Sequence, residues 1–171
     1  MDRSVAILYP DWPQHAGRIR DAVKDLTPEQ LAISAGPEHA PIWALAAHVA
    51  GTRVFWLCNV FGEPGADSTP FTDPDGEGWE DHLDHPRSGS ELAWALDSTW
   101  EVVSRTLDRW TIDDLDRTAV RVYGGAGRVH TRASVLNRLF SHDAFHAGEI
   151  SQMLGLHLLP AIDLWVARPP R

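Results

Sequence analysis

The sequence predicts an all-α protein that folds as a four-helix bundle, with a small β-hairpin before the last long helix. Two observations support this prediction. Apolar residues recur at helical spacing in four separate stretches, and one short stretch alternates in the manner of β-strands. The 171 residues suit a single domain, residues 1–171, with a long loop between helices two and three.

Composition and charge argue against several classes of function. The formal net charge is −9 and the sequence has no basic cluster, which argues against binding to nucleic acid or to anionic membranes. No apolar run reaches the length of a membrane span, and the first residues lack a signal-peptide pattern. The lone Cys58 excludes an internal disulfide and fits a reducing compartment. We therefore expect a cytoplasmic protein that acts on a small-molecule substrate.

The first predicted helix ends near Leu26. Its apolar stripe consists of Ala16, Ile19, Ala22, Val23 and Leu26. Asp11 is suited to the N-cap position, and Pro13 is tolerated in a first helical turn. The prolines after Arg3–Tyr9 leave open whether that segment is also helical. A single short turn at Thr27–Gln30 and an irregular connector are expected to lead to the second helix.

The second predicted helix spans Pro41–Phe61. Its inward face is predicted to consist of Leu45, Val49, Thr52, Trp56 and Val60. His48 lies at the edge of this face. Gly51 stands in mid-helix, where glycine costs about 1 kcal/mol relative to alanine, and its presence therefore indicates close packing. Cys58 is most simply interpreted as a small core residue.

The segment Gly62–Gly89 is rich in Pro, Gly and Asp and is predicted to form the long loop. Its few apolar residues are not expected to bury enough surface to order it, so we predict a mobile segment that controls access to a site between the helices. His82 and His85 lie in acidic surroundings without helical spacing. We interpret them as solvated side chains rather than as metal ligands.

The third predicted helix begins at a capping box formed by Ser88 and Glu91. Its buried stripe is predicted to consist of Leu92, Leu96, Thr99, Val103, Leu107 and Trp110. After a short acidic turn, Arg117–Tyr123 alternates in side-chain type, Gly124–Gly127 turns the chain, and Arg128–His130 returns. This pattern predicts a β-hairpin.

The last predicted helix, Thr131–Leu154, carries two histidines on an apolar stripe. Thr131 is its predicted N-cap and Gly155 its predicted C-cap, after which an irregular tail is expected to pack on the bundle. One face of the helix consists of Val135, Leu139, His142, His146, Ile150 and Met153. Imidazoles one turn apart can reach the same point. Because unpaired buried imidazoles are costly, this spacing favours a shared metal ion over two separately hydrogen-bonded core histidines.

Three histidines are predicted to converge, because His48 in helix two and the pair His142 and His146 in helix four lie on inward faces. They would supply three nitrogen ligands and leave a fourth position open, as in catalytic zinc sites. Cys58 lies nearly three helical turns beyond His48 and could not close that position. Zn²⁺ suits three imidazoles and water best, with Ni²⁺, Fe²⁺ and Mn²⁺ as alternatives.

Glu149 follows His146 by about one helical turn and is the candidate catalytic residue. It could accept a hydrogen bond from that imidazole, or act as a general base on metal-bound water. A partly exposed carboxylate without a role in the site is the alternative interpretation.

Three segments resemble the DinB/YfiT-like superfamily. They are Trp43–Ala50 (WALAAHVA), Ser141–Ile150 (SHDAFHAGEI) and Ile162–Trp165 (IDLW). The resemblance implies a four-helix bundle that holds a divalent metal on three histidines. By position in these motifs the ligands correspond to His48, His142 and His146. Because members are often dimeric, the resemblance also suggests a homodimer.

The resemblance implies a chemistry as well. Related branches are S-transferases and isomerases that use mycothiol or bacillithiol as co-substrate, and they include maleylpyruvate isomerase. A thiol carrying carboxylates would need cationic partners, and Arg53 and Arg138 are candidates because their helices carry the predicted ligands. This chain departs from the family pattern in two respects. It has Glu149 where many members have Gln, and its acidic loop Gly62–Gly89 is long.

Other functions remain open on the sequence. A metal-dependent hydrolase would use metal-bound water, and a non-catalytic bundle would bind metal or a partner without turnover. The run His142–His146 is similar to the zinc-peptidase pattern, but it has Asp where those enzymes have a longer Glu as base. A di-metal carboxylate bundle would need Glu-x-x-His on two helices, which this sequence lacks.

Overall fold

The computed structural model describes residues 3–163 and shows a helical protein with one small hairpin. Its helices are α1 (Trp12–Val23), α2 (Pro28–Leu31), α3 (Ile42–Val54), α4 (Gly89–Arg109) and α5 (Arg132–Leu156). Its strands are β1 (Thr118–Tyr123) and β2 (Ala126–Thr131). Within the described range, no helix combines the length and the apolar character needed to cross a membrane. Leu164 and Trp165 of the third family-like segment lie outside that range.

The four long helices, α1, α3, α4 and α5, form the predicted bundle. α3 packs against α4 and α5, and α1 packs against the same two helices. α4 begins at the predicted capping box, where Ser88 Oγ accepts a hydrogen bond from the Glu91 N–H at 3.3 Å. The predicted stripe of α4 is buried throughout, comprising Leu92, Leu96, Thr99, Val103, Leu107 and Trp110. The prediction of this helix from capping and periodicity is confirmed.

The N-terminal region differs from prediction in detail. Asp11 occupies the N-cap position of α1, but its side chain makes no capping hydrogen bond. α1 ends at Val23, earlier than predicted. The segment whose structure the sequence left open contains a 3-10 turn, Val5–Leu8. Just before this turn, Ser4 pairs with Thr111 in an isolated β-bridge that ties the start of the chain to the end of α4.

The predicted second helix is regular only over α3 and continues as a π-helical turn, Phe55–Val60. Val49 and Trp56 of the predicted inward face are buried. The other three predicted residues, Leu45, Thr52 and Val60, are partly exposed. Because α3 lies between α4 and α5 and is apolar nearly all round, a single stripe was too narrow a description of its buried surface.

The hairpin has a tighter turn than predicted. Gly124 and Gly125 alone connect the strands, with φ of 57° and 80°. Positive φ at both positions suits a two-residue type I′ turn, which strongly favours glycine there. The apolar face of the hairpin points to solvent, since Val120, Val122 and Val129 are 63%, 70% and 66% exposed. The opposite face, which carries arginines, turns towards the bundle.

The long loop is anchored in the core, contrary to the expectation that its apolar residues could not order it. Phe71 is 7% exposed and packs on Gly51 of α3. A Cβ at Gly51 would lie 3.4 Å from the Phe71 ring, which confirms the close packing predicted from this glycine. Short 3-10 turns at Ala66–Ser68 and Trp79–Asp81 add local order. The mobility of the loop stays a prediction.

The end of α5 also differs slightly from prediction. Gly155 lies inside the last turn, and the helix ends at Leu156. The chain then reverses through Leu158, which has a φ of 59°. Ile162 packs against the core, and its N–H donates to Ser151 Oγ at 3.0 Å. The described part of the tail thus packs on the bundle as predicted.

Candidate metal centre

α3 and α5 bring three histidine side chains to one point. His142 Nε2 lies 3.0 Å from His48 Nε2 and 3.1 Å from His146 Nε2. The candidate ligand atoms of all three residues lie within 4.8 Å of one another. Two nitrogens bound to one zinc ion at a tetrahedral angle would be about 3.3 Å apart. The three histidines selected from the sequence are therefore placed so that they could hold a metal ion.

The outer ring nitrogens show which atoms are free to act as ligands. His48 Nδ1 lies 2.7 Å from Glu80 Oε1, and His146 Nδ1 lies 2.6 Å from Glu149 Oε2. Because a carboxylate accepts hydrogen bonds, each Nδ1 donates its proton and the neutral ring keeps a lone pair on Nε2. These lone pairs point towards one another, an arrangement that a shared cation stabilises. The residues present thus fit a divalent metal.

The surroundings of His142 and His146 favour the neutral imidazole. Burial, assisted by the neighbouring His146 and His48 rings, lowers the pKa of His142 to about 3. Burial also lowers the pKa of His146, although its hydrogen bond with Glu149 acts in the opposite direction. Metal ions bind the neutral form of imidazole, so these lowered pKa values favour metal binding at neutral pH.

Glu80 is a residue of the centre that the sequence analysis missed. It comes from the 3-10 turn Trp79–Asp81 of the long loop, whose composition offers no periodic pattern that could predict a contact with His48. Its carboxylate fixes the ring orientation of His48 in the way that outer partners of metal-bound histidines commonly do. The loop therefore contributes directly to the geometry of the centre.

We expect Glu80→Ala to lower the affinity for a divalent metal by about 10–100-fold, because His48 loses the partner that orients its ring. Competition with a chromophoric chelator measures this change. Glu77→Ala is the matched control, since Glu77 lies in the same cavity wall but contacts the exposed His82 at 3.0 Å. Equal affinities in the two variants would contradict a role for Glu80.

Glu149 contacts the centre through His146. Of the roles predicted for this residue, the 2.6 Å contact is the one expected of a partner that orients the imidazole. The carboxylate oxygen in this contact lies on the Nδ1 side of the ring, away from the Nε2 cluster. The role of a general base stays a prediction.

Arg53 does not face the cavity, which corrects its assignment as a candidate cationic partner for a ligand. It is fully buried, and its Nη2 donates to Asp143 Oδ2 at 2.7 Å. Trp12 Nε1 donates to the same oxygen at 2.8 Å. Asp143 thus lies inside the bundle and takes no part in the Nε2 cluster, which argues against the zinc-peptidase interpretation. Because Asp143 directly follows His142, this ion pair restrains the part of α5 that carries the candidate ligands.

A cavity of about 370 Å³ opens in front of His48 and His142. The loop side of its wall is acidic, with Asp73, Glu77, Glu80 and Asp81. The hairpin side carries Trp56, Arg121 and Arg138. Arg138 therefore lines the cavity, which agrees with its selection as a candidate cationic partner for a ligand. His82 and His85 lie apart from the cluster with exposed side chains, in agreement with their interpretation as solvated residues.

Cys58 is separate from the centre. It is half-buried against the hydrophobic core, and burial raises the pKa of its thiol. It is also absent from the described residues that line the cavity. The prediction that this cysteine could not complete the ligand set agrees with its position.

Comparisons with known proteins agree with this fold. The model of the DinB superfamily matches residues 12–150. The structure is similar to the crystal structure of a DinB-like protein from Bacillus cereus, with a TM-score of 0.68 and 18% sequence identity. The match covers 96% of this chain and 100% of that one, and at this identity the likeness concerns the fold alone. A comparison with curated proteins found no match.

Proposed function

Since this chain belongs to the DinB superfamily, we propose that it is a metal-dependent enzyme whose metal is held by His48, His142 and His146. The observation that carries this proposal is the convergence of three Nε2 atoms, two of them on rings fixed by carboxylates. Within the described residues, no other His, Cys, Asp or Glu joins this group of candidate ligands. Three protein ligands leave a coordination position for a substrate, and Zn²⁺ is our first choice of metal.

The reaction we propose is S-transfer or isomerisation with a low-molecular-weight thiol, such as mycothiol or bacillithiol, as co-substrate. A divalent metal at this position would lower the pKa of an entering thiol and so supply a thiolate at neutral pH. Cys58 cannot provide this nucleophile from its position outside the cavity lining. The cavity volume of about 370 Å³ lies in the range of small-molecule sites.

The roles of the surrounding carboxylates favour a thiol over water as the nucleophile. Glu80 and Glu149 each hold an imidazole through Nδ1 and are engaged in orienting ligands. A thiol loses its proton far more readily than water does and so needs less help from a base. This difference favours thiol transfer over the hydrolase alternative.

We expect metal-loaded protein to convert electrophilic substrates only when mycothiol, bacillithiol or glutathione is added, and Glu149→Gln to retain this activity within about tenfold. The Gln oxygen still accepts a hydrogen bond from His146 Nδ1 but cannot take up a proton. A general base would contribute about 10²–10⁴-fold, so its loss would be evident in kcat/KM. Glu101→Gln, an exposed position on α4, is the matched control.

The remaining outcomes of this assay separate the alternatives. Turnover without added thiol that collapses in Glu149→Gln would identify a hydrolase. No turnover by fully metal-loaded protein would contradict the enzyme proposal and favour a non-catalytic metal-binding bundle.

A further inference from the structure

A second cavity, of about 300 Å³, lies beneath the hairpin. It adjoins the cavity in front of His48 and His142, which we call the metal cavity. Its described lining consists of Trp56, Arg121, Arg128, His130 and Arg138. These described residues include three arginines and no carboxylate, on a chain whose formal net charge is −9. The cavity shares Trp56, Arg121 and Arg138 with the metal cavity, so the two lie side by side. This concentration of positive charge favours an anionic occupant.

The register of the hairpin forces two of these charges together. Arg121 pairs directly with Arg128 across the two strands. Like charges in directly opposed positions destabilise a hairpin. A shift of register by one residue would place the exposed valines against the bundle instead. The observed register therefore carries an electrostatic cost that a bound anion would offset.

Cation–π contacts hold two of the guanidinium groups at the cavity. The Arg138 guanidinium carbon lies 4.9 Å from the centre of the Trp56 ring system, and that of Arg121 lies 5.4 Å from it. The Arg121 guanidinium also lies 4.7 Å from the centre of the Phe55 ring. Stacking uses the face of a guanidinium, whereas its N–H donors lie in the plane of the group. These contacts thus place the Arg121 and Arg138 guanidinium groups at the cavity wall, where their edges can meet an oxyanion.

His130 adds a polar atom that lacks a partner. Its ring packs against Trp56 with centroids 4.8 Å apart, and its Nε2 is buried without a hydrogen-bond partner among the described residues. Burial, and then Arg138, Arg121 and Arg128, lower the pKa of His130. An unsatisfied buried ring nitrogen is unfavourable, and an oxyanion in the cavity could accept a hydrogen bond from its N–H tautomer.

We propose that this cavity is an oxyanion subsite, which binds the carboxylate-bearing end of a small molecule whose other end reaches the metal. Arg138 precedes His142 by one helical turn and lines both cavities, so one ligand can extend across them. The acidic loop wall repels a carboxylate and directs it towards the hairpin. A planar carboxylate matches the donor fork of a guanidinium, and a dicarboxylate can engage more than one of the three arginines.

The subsite itself does not depend on the metal, whereas the bridging role rests on the proposed function. We expect succinate to bind the metal-loaded protein at low ionic strength, as measured by isothermal titration calorimetry, and to bind more tightly than acetate. The double variant that combines Arg121→Gln with Arg128→Gln should lose affinity for succinate by at least about tenfold for each arginine removed. Arg128→Gln alone serves as a second variant, since Arg128 is exposed and its loss should leave the fold intact.

The matched control is Arg3→Gln with Arg105→Gln, which removes the same charge from exposed positions outside the cavity. An equal loss of affinity in this control, or no binding of either succinate or inorganic phosphate, would overturn the proposal. Tighter binding of phosphate than of succinate would support the oxyanion subsite and identify a phosphate ester as its natural ligand.

A separate measurement distinguishes this proposal from the metal function. We expect protein carrying His142→Ala and His146→Ala to keep its affinity for succinate within about threefold, since the arginine contacts do not involve the metal ligands. Loss of succinate binding in this variant would show that the anion binds the metal instead, and would refute the subsite.

Discussion

Replacement of both His142 and His146 by alanine is expected to lower the affinity for Zn²⁺ by more than about a hundredfold, because loss of an outer partner alone costs about 10–100-fold. The wild-type protein should hold one metal ion per chain after dialysis, and the variant none. Elemental analysis by mass spectrometry measures the content, and chelator competition measures the affinity. The same analysis identifies the metal, since three imidazoles also accept Ni²⁺, Fe²⁺ and Mn²⁺.

The control for this experiment is His82→Ala with His85→Ala, which removes two histidines whose side chains are 50% and 69% exposed. These residues lie outside the cluster, so metal content should stay at the wild-type level. Circular dichroism checks that each variant retains its helices. Full metal retention by His142→Ala with His146→Ala would refute the proposed centre.

The sequence predicts the bundle and the histidine cluster because both depend on short-range patterns. Helical spacing and the capping box at Ser88 place α4 correctly. His142 and His146 are four residues apart, so a helix alone brings their rings together. His48 needs one further condition, namely that α3 faces α5, and a four-helix bundle supplies it. These features required no knowledge of loop conformation.

The parts that the sequence did not predict depend on contacts between distant segments. Glu80 reaches His48 from a loop without periodicity, so nothing local indicates the contact. Arg121, Arg128 and Arg138 are separated in the chain, and they form a cluster only when the hairpin folds against α5. The net charge of −9 and the absence of a basic run in the sequence therefore give no indication of this local positive region. Charge composition describes the whole chain and cannot locate individual side chains.

The buried ion pair between Arg53 and Asp143 was missed for another reason. In the sequence, the position of Asp143 between two candidate ligands suggests a counterpart of a catalytic Glu. Asp143 belongs, however, to a second buried stripe of α5, which consists of Leu136, Asp143, Ala147, Ile150 and Leu154. Arg53 lies in a correspondingly apolar region of α3. Opposite charges within the apolar surfaces of two facing helices are a signal that could have predicted this pair.

This ion pair links four helices next to the candidate metal centre. Arg53 of α3 donates to Asp143 of α5 and, at 3.2 Å, to the Leu96 carbonyl of α4, while Trp12 of α1 donates to Asp143. Asp143 is 2% exposed and Arg53 is fully buried, so each charge depends on the other for compensation. Because His142 precedes Asp143, the network also restrains the helix that carries two of the three candidate ligands.

We therefore expect Asp143→Ala to lower the free energy of unfolding by about 3–5 kcal/mol, because it leaves the buried Arg53 charge without a partner. Urea denaturation of the metal-free protein, followed by circular dichroism, measures the change. Asp97→Ala is the matched control; its ion pair with Arg20 is exposed and should contribute about 0–1 kcal/mol. Combining Arg53→Met with Asp143→Leu should restore part of the lost stability, since an apolar pair removes both charges but leaves the buried Trp12 N–H without its acceptor. If Asp143→Ala destabilises no more than Asp97→Ala, the network is not the support that its geometry indicates.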